Sequence, residues 1–71
     1  VSNLEYVIAE SGHPVVFSAM DVDAYEVRMT DVGEVARIYA ADPDGDFHCC
    51  DPVPEQVDRL VEALIEWRRG K

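Results

Sequence analysis

The chain is expected to fold as α+β, an antiparallel β-meander of four to five strands with one C-terminal amphipathic helix packed on one face. Three observations predict this. Residues 53–71 carry apolar side chains at helical spacing, the preceding segments alternate apolar with polar residues, and clusters of Ser, Gly, Pro and Asp punctuate those segments. Seventy-one residues make a single small domain over 1–71, near the lower limit for a chain stabilised by one core.

Residues 4–10 alternate loosely, Leu4, Tyr6 and Ile8 against Glu5, Val7 and Ala9, and read as a first strand. Ser11-Gly12-His13-Pro14 is a turn signal, so 15–20 is the returning strand, broken by Asp21-Val22-Asp23. Tyr25-Glu26-Val27-Arg28-Met29 alternates cleanly and marks a half-buried strand. A turn at 30–33 leads to a strand at 34–41, although Asp31 as a cap with Val35, Ile38 and Tyr39 on one face would also suit a helix there. Asp42-Pro43-Asp44-Gly45 has the residues a β-turn demands, and 46–50 is the last strand.

Closing both later hairpins tightly pairs Ala40 with Phe47, Tyr39 with His48, Val27 with Ala36 and Glu26 with Arg37. One face then collects Tyr25, Val27, Met29, Ala36, Ile38, Ala40, Phe47 and Cys49, for the helix to cover. The other face holds Glu26, Arg28, Val35, Arg37, Tyr39, His48 and Cys50 and is expected to stay open. In the helix, Val53, Val57, Leu60, Val61, Leu64 and Ile65 form one stripe, with Trp67 towards its edge. Pro54 suits the first helical position, Glu55 the positive end of the dipole, Arg68 and Arg69 the last turn, and Gly70 a left-handed close.

Fifteen acidic residues against six basic ones give a net charge of −9. Such a charge repels phosphate backbones and anionic lipid, so the expected partner is a protein, a second copy of the chain included, with no direct nucleic acid and no membrane. Dispersed acid also fits adaptation to a salt-loving or GC-rich host. No apolar run reaches the length of a membrane span, and no basic-then-apolar leader occurs in these residues. The only cysteines, Cys49 and Cys50, are adjacent and cannot staple distant parts of the fold, which points to the reducing cytoplasm.

Candidate chemistry is sparse. His48 and Cys50 share a face in a strand, but a closed zinc site needs four ligands, and Cys49 is expected to act as a small buried hydrophobe. A thiol nucleophile would also need an oxyanion-stabilising turn and a pocket. The Asp42, Asp44, Asp46 and Asp51 series lacks the bidentate Glu of a calcium loop, since Val53 stands at that position. The sequence thus predicts no enzyme, metal or cofactor. It predicts a small acidic interaction or regulatory module that acts through an open sheet face or edge, with Arg28, Arg37, Tyr39 and His48 as contact residues. A second reading takes Asp58, Glu62 and Glu66, an acidic ridge at i, i+4 and i+8, together with the Asp42–Asp51 carboxylates as one continuous phosphate-mimicking patch that occupies the basic groove of a nucleic-acid-binding protein. A third, minor reading is a metal or thiol site at His48 and Cys50.

Overall fold

A computed structural model of the chain describes residues 3–71. The elements are α1 (Asn3–Ser11), β1 (Val15–Met20), β2 (Glu26–Asp31), β3 (Ala36–Ala41), β4 (Phe47–Cys50) and α2 (Pro54–Arg69). The four strands form one antiparallel sheet in the order β1-β2-β3-β4, so the fold is α+β and the meander is the expected one.

The first segment corrects the reading, because residues 4–10 belong to helix α1 and not to a strand. Leu4 and Ile8 are four residues apart, on one side of a helix, and both are buried against Tyr39 and Ala41, with Phe47 packed alongside. Gly12, at φ +72°, supplies the left-handed residue that ends α1. The Ser11 hydroxyl donates to the Ile8 carbonyl at 2.7 Å and satisfies one of the last-turn acceptors.

Strand pairing places Ser18, Arg28, Tyr39 and Cys49 across from one another on one face, with Met20, Glu26, Ala41 and Phe47 beside them. Helix α1 covers this face. The opposite face carries Phe17, Met29, Ile38 and Cys50, then Ala19, Val27, Ala40 and His48. The register of β2 against β3 differs from expectation by an even number of residues. Val27 faces Ala40 rather than Ala36, and those two strands keep their apolar set together. The β3–β4 register is off by one: Ala41, not Ala40, opposes Phe47. That slip turns Phe47 and Cys49 towards α1 and sends His48 and Cys50 to the other side.

The cause of the slip is the loop. Asp42 N–H donates to Asp46 O at 2.9 Å and Gly45 N–H to Asp42 O at 3.1 Å, with Gly45 at φ +92°. This is a three-residue hairpin loop with a left-handed residue at its end, one residue longer than a two-residue turn. The β1–β2 loop repeats it. Asp21 N–H donates to Tyr25 O at 2.9 Å, and Ala24 takes the left-handed position at φ +66°. In both loops the leading aspartate accepts two backbone N–H bonds through Oδ1, from Asp23 and Tyr25 on Asp21 and from Asp44 and Asp46 on Asp42. Between β2 and β3 the turn is a two-residue one, with Gly33 at φ +107°.

Helix α2 starts and ends as read, with Pro54 in its first turn and Arg68 and Arg69 in its last. Gly70 differs: it is right-handed, at φ −77° and ψ −4°. The larger difference is burial. No residue of α2 is buried, and its stripe residues Leu60, Val61, Leu64 and Ile65 are all exposed. The Cα envelope is 36 × 31 × 16 Å. Stacking α2 on the free sheet face would bring the thinnest dimension to roughly 25 Å, given about 10 Å between layers. The helix therefore lies beside the α1–sheet sandwich rather than across its open face.

Candidate interaction surface

The face expected to be open is the one α1 closes. Tyr39 is 2 % exposed, and its ring meets Phe47 edge-on at 5.8 Å between centroids. Arg28 lies beneath α1 and is ion-paired to Glu26, its Nε donating to Glu26 Oε2 at 2.9 Å, with Glu5 of α1 3.7 Å from Nη2. The expected Glu26–Arg37 pair is therefore replaced by a pair within β2. The register explains the change: Arg37 opposes Thr30 and Glu26 opposes Ala41, so the cation within reach of the buried Glu26 carboxylate is Arg28. The Ser18 hydroxyl donates to the same Glu26 oxygen at 3.4 Å.

Arg37 sits at the start of β3 and forms a two-pronged pair with Asp51, Nε to Oδ1 at 2.7 Å and Nη2 to Oδ2 at 2.9 Å. The hydrogen bonds from Arg37 hold the Asp51 carboxyl below its ordinary pKa, and Asp51 in turn raises that of Arg37. Beside this pair, Ala36 N–H donates to Pro52 O at 3.1 Å. Together they fix the three residues between β4 and α2, a connector already stiffened by Pro52 and Pro54.

His48 and Cys50 share the face away from α1, as the alternation of a strand requires. Cys49 is exposed rather than buried: it lies on the edge strand β4, beyond Phe47, the β4 residue that packs against the α1 core. Among the described residues no three His, Cys, Asp or Glu side chains come together as a metal ion would need. The proposed contact residues are thus dispersed: Arg28 and Tyr39 under α1, Arg37 at the root of α2, and His48 on the opposite face.

Two apolar surfaces stay uncovered. The first is the free sheet face, where Phe17 and Val27 are about half exposed. The second is the α2 stripe, with Leu64 at 55 % and Trp67 at 62 %. They approach each other around a shallow depression of about 290 Å³ where Val16, Met29 and Val57 meet the carboxylates of Asp31, Glu34 and Asp58. Sequence reading found the stripe and missed that it would be left open, because periodicity reports which side of a helix is apolar and not what meets it.

Asp58, Glu62 and Glu66 are exposed on α2, Glu62 and Glu66 on the side away from the stripe and Asp58 at its border. The carboxylates of the Asp42–Asp46 loop lie at the far end of β3 from Ala36, where the helix is rooted. Asp42, Asp44 and Asp46 therefore enter the structure at the opposite end of that strand from the helix ridge, and Asp51, at the helix end, is paired with Arg37. No helix among the described residues is long and apolar enough to cross a membrane. Comparisons with models of known families, with curated proteins and with solved structures find no match.

Proposed function

We propose that the chain is a non-catalytic protein-interaction module of the cytoplasm, with a regulatory rather than a chemical role. The observation that supports this reading is the uncovered apolar surface formed by the free sheet face and the α2 stripe. Apolar area of this extent, on a chain otherwise rich in carboxylates, is characteristic of a surface that another protein covers. The contact residues move accordingly, from Arg28 and Tyr39 to Phe17, Val27, Leu64 and Trp67. His48 stays among them on the free face.

Photo-crosslinking in the native host tests the reading. A photoreactive residue at Val27 or at Leu64 should give discrete protein adducts. The same residue at Tyr6, exposed on α1, should give only solvent quenching. Equal labelling at all three positions, or adducts at none, would overturn it.

A further inference from the structure

The uncovered surface has properties that identify what occupies it. The protomer exposes 5436 Å², where a folded monomer of 8.0 kDa exposes about 4500 Å². The excess, about 900 Å², is close to the roughly 800 Å² that each partner buries in a standard protein interface. The shape agrees, with a Cα radius of gyration of 13.1 Å against about 11 Å for a compact chain of this length. Among the described residues the core is also small: Leu4, Ile8, Tyr39 and Ala41, with Phe47 beside them. A chain with so little interior of its own often gains the remainder by association.

We infer that the occupant is a second copy of this chain, and that α2 of each copy lies across the free sheet face of the other. The inference rests on the interaction reading above and names its partner. The two surfaces suit each other: an apolar helix stripe needs an apolar sheet face, and each protomer carries one of both. A two-fold axis satisfies all four surfaces at once, which a one-sided partner does not. The connector favours exchange over folding back, because Pro52, Pro54, the Ala36–Pro52 hydrogen bond and the Arg37–Asp51 pair aim α2 beside its own sheet.

Charge does not oppose this pairing despite −9 on each copy. Among the strand residues of the free face the only carboxylate is Asp31, at the end of β2. Glu62 and Glu66 point away from the stripe and stay in water, whereas Asp58 borders it and, with Asp31 and Glu34, lines the depression at the root of the helix. The interface would therefore be poor in charge around Phe17, Val27 and Leu64 and acidic at its rim, which includes the depression at the root of α2.

Sedimentation equilibrium of the purified chain should give twice 8.0 kDa. Leu64→Glu and Val27→Glu change residues exposed in the protomer, so each should fold, as circular dichroism will show, yet weaken the dimer at least about tenfold. In a mixture of isotopically heavy and light chains, a photoreactive residue at position 64 of the light chain should label β2 or β3 of the heavy one. A wild-type chain that stays monomeric at millimolar concentration, a dimer untouched by both substitutions, or labelling confined to the same chain would each overturn the exchange. A monomer that still gives adducts at Val27 and Leu64 in its host would defeat the second copy alone, whereas a monomer without them would defeat the interaction reading as well.

Discussion

Helix α1 is nine residues long and offers the sheet little more than Leu4 and Ile8, whereas α2 is sixteen residues long with an apolar stripe along its length. The shorter helix closes the core and the longer one buries nothing. The difference lies in the connections. Gly12, His13 and Pro14 turn the chain so that α1 covers the face of the strands that follow it. The stiff, hydrogen-bonded connector before α2 holds that helix beside the sheet, with only its first turns bordering the free face. Burial in a small domain follows from where the backbone points an apolar surface as much as from how apolar it is.

The largest expected effect separates the two helices directly. In dilute solution, where protomers are apart, Leu4→Ala should cost about 3 kcal/mol of unfolding free energy, because Leu4 is fully buried and its neighbours cannot close the gap. Leu64→Ala should change stability by no more than about 0.5 kcal/mol under the same conditions, since an exposed leucine loses little packing and alanine favours the helix. Urea denaturation of the two variants measures both. Similar costs would break the comparison and show α2 packed within its own protomer.

The closed half contains a finer comparison. Its two hairpin loops share one hydrogen-bond pattern, but Gly45 occupies the left-handed position in one and Ala24 in the other. A side chain there meets the backbone and costs about 1 kcal/mol. Ala24→Gly should therefore raise stability by roughly 0.5–1 kcal/mol, and Gly45→Ala should lower it by about 1 kcal/mol or more. Thermal denaturation of the pair will show opposite signs if the two loops are equivalent. Equal signs would mean that contacts beyond the backbone set one of them.

Most strands and the limits of α2 were legible because hairpin residues and helical periodicity are local signals, carried by segments such as Asp42-Pro43-Asp44-Gly45 and residues 53–71. Residues 4–10 were not, since Leu4 and Ile8 satisfy both an alternating and a helical pattern. Only the tertiary fit to Tyr39 and Phe47 decides between them. The β4 faces failed for a narrower reason: a left-handed Gly45 lengthens the loop by one residue, and one residue inverts a strand. That inversion, together with α1, relocates the candidate surface from Arg28 and Tyr39 to Val27 and His48.

The smallest effect lies at the root of α2, where the Arg37–Asp51 pair is partly open to water and solvent screens it. Asp51 has a folded-state pKa below its ordinary 3.8, mainly through the hydrogen bonds from Arg37, so its contribution to stability is present above that value. The contribution is lost as pH falls from about 4 through the lowered folded value. Arg37 stays protonated throughout this range and adds no pH dependence of its own. Asp51→Asn should accordingly lower the melting temperature slightly at pH 7 and leave it unchanged in acid, where the wild type has already lost the interaction. Hydrogen exchange would then rise at Ala36 and at the amides of Val53 and residues 55–57, and not in α1 or the rest of β3. Exchange that rose across the α1 face as well would show the two halves to be mechanically one, and the contrast between the helices would reduce to surface exposure alone.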